Sequence, residues 1–348
     1  GGGVFWLACG DAQALHGDVS RVSRYLGLLD DGDARPSVML ARLRRWLDEH
    51  PGWLCVLDGA SGPSILPSLS LPATGSVLCT SGSPAAEWEA ALGWEYALEL
   101  GSFSDLEAHS RIVRCLPDAV PSYVKPLVAA LRNLPLSISI ALGFIREFDV
   151  KIEKVKDMLL LDLAARHPPL FHPLTQEQME DQTTVHVPTI KSHGELSPEA
   201  ALGSLLGVIM KELSKKGSAA CDLLSMASLS HSTGLRRALF QGHAEETKTL
   251  PGGRVERTGP DWDALLGSIA QLVRIGVLEC GEGDAVTCHP MVQEAIIDRV
   301  GASVKAAWGA LRRILARGMR GFSPHDPRGW EHSGPLVRHA LAAERRRG

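Results

Sequence analysis

Several things are missing from this sequence. It has no run of about 18 or more apolar residues, the length a helix needs to cross a bilayer, so no membrane partner is expected. It has no strong charge of either sign. Its 36 Lys and Arg against 40 Asp and Glu leave a formal net charge of −4, which gives no global attraction to nucleic acid or anionic membrane. Its seven cysteines are an odd number with no CxxC spacing, which excludes a disulfide framework and a cysteine zinc site. Cys9, Cys55 and Cys79 each sit inside an apolar run, as small hydrophobes do, and this argues for a reducing compartment, the cytosol or nucleus, with a cytoplasmic location expected. No GxSxG elbow or local Cys/His nucleophile signature occurs. Nowhere does the chain read GxxxxGK[ST], the loop whose amides and lysine hold nucleotide phosphates. Gly1-Gly2-Gly3 carries no initiating Met and no charged leader, so a cut end of a longer chain is expected.

What is present is ordinary globular composition, 45% hydrophobic and 22% charged, in 348 residues, enough for two or three packed units. Three short apolar runs have the character of buried strands: Val4 to Cys9, Trp53 to Leu57, and Ser76 to Thr80. A weaker fourth spans Tyr96 to Leu100. Between the first two, Leu15, Val19, Val22 and Leu26, then Leu40, Leu43 and Leu47, recur at helical spacing. Continuous apolar strands alternating with helices predict a parallel α/β sheet covered on both faces.

Beyond residue 101 the strands give way to helices. Ser104-Asp105-Leu106-Glu107 is a capping box, and Leu134 to Glu147 forms an apolar helix with Pro135 in its first turn. His167 to Glu195 lacks periodicity and is expected to be a linker, after which Ser197-Pro198-Glu199 restarts helix. Amphipathic stretches from Ser218 to Leu229 and from Leu265 to Gly276 lead to Val277–Cys280 and Val286–Cys288 across a Gly281–Asp284 turn. Helices followed by a hairpin and then another helix are the layout of a winged helix. A helix from Pro290 carries Val292, Ala295, Ile296 and Val300 on one face, and should bury them together. That helix holds Glu294 and Asp298 against Arg299, which argues against its being a DNA-recognition helix.

Few residues suggest chemistry by themselves. Asp58 ends an apolar strand, placing a carboxylate at the carboxyl edge of the sheet, where α/β folds bind ligands, although an Asp there is more often a turn former. Pro135 fits the first position of a helix, and His289 fits the cap of the helix at Pro290. His167 and His172 stand in a proline loop without a rigidly spaced partner and have the character of solvated residues.

The order of the segments resembles the NB-ARC family of signalling P-loop (STAND-class) ATPases, particularly members followed by tetratricopeptide repeats. Trp53-Leu54-Cys55-Val56-Leu57-Asp58-Gly59 is similar to the Walker B strand, and Gly75 to Ser81 to the sensor-1 strand. Asn133-Leu134-Pro135-Leu136 resembles the Gly-Leu-Pro-Leu motif. Cys288-His289-Pro290-Met291-Val292-Gln293-Glu294 resembles a variant of the Met-His-Asp region. The likeness runs from residue 4 to about 300, and it implies an ADP- or ATP-binding switch using Mg²⁺. Asp58 would lie on the metal side, Thr80 and Ser81 would face the γ-phosphate, Pro135 would flank adenine or ribose, and His289 would reach the β-phosphate. Departures are equally plain: Ser61 stands where a second acid is common, Gly82 where the sensor arginine stands, and the phosphate-loop motif is absent.

The expected architecture is an incomplete α/β nucleotide-binding domain over 1–117, a small helical domain over 118–166 and a linker over 167–196. A winged-helix-like domain over 197–300 and a helical extension over 301–348 complete it. Nucleotide binding should be weak and hydrolysis negligible. Partners should be other proteins, including further copies of the chain. The competing reading is an interaction scaffold that binds no nucleotide; a winged-helix DNA-binding protein ranks third.

Overall fold

The computed structural model describes residues 2–10, 12–29, 35–92, 97–172, 196–217, 219–232, 234–244, 247–249, 255–257, 262–281, 284–300, 304–320 and 330–346. It divides into two compact units, Gly1–Gly101 and Ser102–Gly348.

In the first unit, β1 (Val4–Ala8), β2 (Leu54–Ala60) and β3 (Ser76–Ser81) form one parallel sheet in that order. Val4 registers with Leu54 and Leu54 with Ser76, so the three strands run in step as expected, with their carboxyl ends together. Helices α1 (Ala12–Tyr25) and α2 (Pro36–Glu49) make the crossover from β1 to β2. Proline opens α2, and Met39, Leu43 and Leu47 recur at four-residue spacing to bury one stripe. That stripe joins Leu7, Cys55 and Leu57 in a single core beneath the sheet. Trp53 anchors this core: its indole nitrogen donates to the Leu47 carbonyl at 3.0 Å and to the Thr74 hydroxyl at 3.2 Å. A methyl on Gly75 would overlap its ring, so only glycine fits there.

Short helices α3 (Ile65–Leu69) and α4 (Ala85–Leu92) flank β3. The other face of the sheet is open at its margins. Across the register row, Trp6 and Leu78 are each 55% exposed while Val56 between them is 4% exposed. The expected fourth strand does not form among residues 97–100, and Tyr96 lies outside the described residues. Leu98 and Leu100 stand 81% and 85% exposed, so this segment has no neighbouring strand against which to close a ladder.

The second unit is helical around one large core. Helix α5 (Asp105–Cys115) opens on the expected capping box, the Ser104 amide donating to the Glu107 carboxylate at 2.8 Å and the Glu107 amide to the Ser104 hydroxyl at 3.3 Å. Helices α6 (Pro121–Ala130), α7 (Pro135–Phe148) and α8 (Ile152–Arg166) follow, then α9 (Pro198–Lys216), capped by Ser197, and α10 (Ala219–Leu229). Most of the expected linker, 173–195, lies outside the described residues, although Pro168–Leu170 is a turn of 3₁₀ helix. Helix α10 is buried nearly all round, as its continuous apolar sequence requires.

Next come β4 (Leu235–Arg236), α11 (Arg237–Ala244), a small hairpin of β5 (Thr247–Thr249) with β6 (Val255–Arg257), and α12 (Trp262–Ile275). Strands β7 (Glu279–Cys280) and β8 (Ala285–Thr287) pair as expected, and β4 adds a third antiparallel strand that the sequence did not announce. In α13 (Pro290–Val300), Val292, Ala295 and Ile296 are buried together, while the side chain of Val300 lies outside the described residues. Helices α14 (Val304–Gly318) and α15 (Trp330–Arg346) complete the unit.

A buried ion cluster ties three of these helices. Arg299 of α13 forks onto the Asp162 carboxylate of α8 and also donates Nε to the Gly203 carbonyl of α9 at 2.7 Å. Lys211, 3.1 Å from Asp162, and Arg166, at 3.4 Å, complete it. A methyl on Gly207 would overlap the Arg299 guanidinium, so this glycine makes room for the ion pair.

Candidate functional site

The carboxyl edge of the sheet is built by a backbone irregularity. Register between β2 and β3 shifts between Leu57 and Ala60, and Gly59 takes a left-handed φ of 71°, a conformation that favours glycine. The shift turns the Gly59 amide toward the Thr80 hydroxyl, to which it donates at 2.8 Å. That hydroxyl donates onward to the Asp58 carboxylate at 2.6 Å. Thr80 is thereby fixed as donor to Asp58, and the second carboxylate oxygen of Asp58 makes no hydrogen bond among the described residues. The backbone oxygen of Asp58 accepts from the Cys9 amide at 2.7 Å, tying the adjacent strand end to it.

Asp18 on α1 brings a second carboxylate to this edge by accepting from the Ala8 amide at 2.8 Å, and Arg21 pairs with it at 3.2 Å. The Cys9 thiol is pushed up to about 11, first by burial, then by Cys79, Asp18 and Asp58. The unit contains no lysine: the first in the sequence is Lys125.

The five residues singled out from sequence fall into two groups. Asp58 and Thr80 are brought into direct hydrogen bond. Ser81 is adjacent, but its hydroxyl is engaged by backbone, donating to the Ala60 carbonyl at 2.7 Å and accepting from the Ser83 amide at 3.0 Å. Pro135 and His289 belong to the second unit. Pro135 occupies the first position of α7, after a loop in which Arg132 and Asn133 both have φ of 56°. Asn133 donates through its side chain to Asp105 at 2.7 Å, coupling the starts of α5 and α7. His289 is exposed and caps α13, its Nδ1 accepting from the Met291 amide at 3.2 Å. Its Nε2 then carries the proton and is the donor it can present to solvent.

Gln293, from the same motif, is buried and donates to the carbonyls of Ala227 and Ser230 at 2.9 and 3.1 Å, closing the end of α10. Gly59 and Asp18 were not singled out from sequence. The Asp-Gly dipeptide was the visible signal for the first, and nothing local marks the second.

Among the described residues, no group of three or more His, Cys, Asp or Glu is arranged to hold a metal ion. Asp58 therefore offers one free carboxylate oxygen, the fit of a single protein ligand to a hydrated Mg²⁺ whose other positions are water and phosphate. The phosphate side fits less well: Ser81 is engaged, and no lysine is at hand.

No family model matches the sequence, and no curated protein matches it. The fold does match a solved structure, a signal transduction ATPase with numerous domains (STAND) carrying a tetratricopeptide repeat sensor, from Pyrococcus horikoshii. The superposition covers 98% of this chain at 13% identity and a TM-score of 0.50. The fold is STAND-like. The chain spans 45% of the length of that protein. A second match, the Walker-type ATPase of Pyrococcus abyssi, covers 84% of this chain and 83% of that one at 13% identity, but its TM-score of 0.27 carries no argument. In the STAND-like fold, the Asp58–Thr80 pair stands at the ends of adjacent parallel strands, the edge where α/β sheets bind ligands. No described helix is long and apolar enough to cross a membrane.

Proposed function

We propose that this chain is an NB-ARC-type nucleotide switch module, truncated or degenerate at its phosphate grip, so that these 348 residues bind ADP or ATP weakly and do not hydrolyse ATP at a useful rate. The observation that carries the reading is the Asp58–Thr80 hydrogen bond at the carboxyl edge of the parallel sheet, with one carboxylate oxygen left free. Asp58 is the Mg²⁺-side acid, and Thr80 holds its carboxylate in place. Ser81, beside them, offers the phosphates little, because its hydroxyl already serves the backbone. Magnesium would screen phosphate charge when nucleotide is bound. Pro135, which sets the start of α7, and His289, which caps α13, belong to the second unit, and the roles expected of them at adenine or ribose and at phosphate rest on the family resemblance of their motifs.

The run of α10, β4, α11, α12 and the β7–β8 hairpin supports a winged-helix module carrying His289 just beyond its last strand. Such a module fits protein partners better than DNA. Its α12 contributes Arg274, which is spent on Glu147 at 2.6 Å, and α13 contributes Arg299, which is buried on Asp162.

The missing contacts set the strength. A phosphate-loop lysine, a second acid at Ser61 and a sensor arginine at Gly82 are each worth about 1.5–3 kcal/mol, and together several orders of magnitude in affinity. The test is nucleotide titration with Mg²⁺ and with chelator, on the natural chain and on Asp58→Asn. Magnesium should strengthen binding to the first and leave the second unchanged. An equal effect of magnesium on both would remove Asp58 from the site. Absence of any binding at about 10 mM nucleotide would favour the second reading, a scaffold for protein partners.

A further inference from the structure

The parallel sheet of the first unit ends in two margins, β1 and β3, and they are finished differently. Along a parallel strand, the residues that bond to a given neighbour alternate with residues whose amides and carbonyls face the other way. The Cys9 amide donates to the Asp58 carbonyl at 2.7 Å, so Val4, Trp6 and Ala8 turn their backbone groups outward from β1. That margin is guarded: the Ala8 amide donates to the Asp18 carboxylate at 2.8 Å, which spends an outward donor and sets a charge on the edge.

The margin at β3 has no such guard. The Ser76 amide donates to the Trp53 carbonyl at 2.9 Å, so Val77 and Cys79 turn their amides and carbonyls away from β2. Those groups have no partner among the described residues, because β3 forms a ladder with β2 alone. Its sequence, Ser-Val-Leu-Cys-Thr-Ser, contains neither a charge nor a proline to repel another strand.

The same unit holds a segment of the opposite kind. Ala97-Leu98-Glu99-Leu100 makes no backbone hydrogen bond among the described residues, and its two leucines stand 81% and 85% exposed. In an extended chain, side chains two apart share one face, so Leu98 and Leu100 project together. An edge without a strand and a strand without an edge thus occur in one chain, and the fold does not close them on each other.

We infer that two copies of the chain exchange this segment, residues 97–100 of each copy pairing with the outer edge of β3 in the other. Val77 and Cys79 offer two donors and two acceptors, which a four-residue strand is long enough to meet. Leu98 and Leu100 then lie on the open face beside Leu78, itself 55% exposed. An unrelated strand on β3 would satisfy the edge but leave both leucines in water. A second copy satisfies edge and segment together, and the reciprocal arrangement closes at two chains. This inference does not rest on the nucleotide site.

The test uses the full chain, with sedimentation equilibrium reading the dimer and circular dichroism the fold of each variant. L98E/L100E alters two exposed side chains and should weaken dimerisation by more than about 100-fold, because both leucines lose their cover in each arm. Val77→Pro removes an outward amide at an edge position, where proline leaves the ladder to β2 in place. It should weaken the dimer by about 30-fold, one hydrogen bond in each arm. Y25E/L106E, which places the same charges on exposed apolar residues elsewhere, should leave it unchanged. The chain carrying p-benzoylphenylalanine in place of Leu98, mixed in equal amounts from normal and isotopically heavy preparations, should photo-crosslink to peptides of β3 with the two isotopes combined. A concentration-independent monomer, a dimer retained in L98E/L100E but lost in Trp6→Glu, or equal loss in Y25E/L106E would each overturn the inference. So would crosslinks confined to one isotope, or none to β3.

Discussion

Asp58 and Arg299 are both charged residues held by a neighbour, yet they do opposite work. Asp58 keeps a free oxygen at a sheet edge, whereas Arg299 is spent internally, its affinity for its proton lowered by burial and partly restored by Asp162. Arg299→Met leaves the buried Asp162 with only Lys211 and Arg166, and should destabilise the chain by about 3 kcal/mol in chemical denaturation. Gly207→Ala is a sharper probe. In a helix the change ordinarily gains up to about 1 kcal/mol, but here the methyl overlaps the Arg299 guanidinium, so a net loss of about 1–2 kcal/mol is expected. In the background of Arg299→Met that loss should disappear, which a double-mutant cycle measures.

His339 supplies a pH dependence. It is buried, accepts from the His231 amide through Nδ1 at 3.1 Å, and is pushed down to about 4 by burial first, then by His231 and Arg338. A depressed histidine is neutral in the fold while the unfolded chain takes up its proton near 6.5. Stability is therefore full above that value and is lost as pH falls toward 4. Lowering pH from 7 to 5 should cost about 2 kcal/mol, and His339→Gln should flatten that part of the profile.

At the scale of elements, what the sequence announced was local. Ser104 with Glu107, Ser197 with Pro198, and Pro135 each mark a helix start within four residues, and each is found there. Ser104→Ala should lower stability by about 1 kcal/mol, because the Glu107 amide loses its cap and the Glu107 carboxylate loses the Ser104 hydroxyl. Apolar runs located β1, β2 and β3, although only the central β2 is covered on both faces while β1 and β3 expose Trp6 and Leu78. What was not legible depends on distant partners. The two residues of β4 are a strand only because β8, some fifty positions later, pairs with them. Leu98 and Leu100 carry strand character but find no partner. The Asp58–Thr80 bond could be anticipated from two strand ends, whereas the link of Asp162 to Arg299, 137 positions apart, could not. Pro135 and His289 are helix-start residues in geometry, and the ligand roles proposed for them rest on the resemblance of their sequence motifs.

At the scale of the molecule, two features bear on assembly. The open sheet face presents Val4, Trp6 and Leu78 at the surface of a parallel sheet, an arrangement usually covered. The chain should therefore self-associate with rising concentration in sedimentation velocity, and Trp6→Glu should reduce it; a concentration-independent monomer would show that the face needs no cover. The other feature is the mismatch between a STAND-like fold and a first unit without a single lysine. On the proposed reading, in which Ser61 and Gly82 stand where the resembled family carries a second acid and a sensor arginine and the Ser81 hydroxyl is engaged, the chain should hold nucleotide loosely. Calorimetric titration of the chain with Mg-ADP and Mg-ATP tests this most directly. A dissociation constant of about 1 mM or weaker for both is the expected result, and micromolar affinity for either would contradict the account.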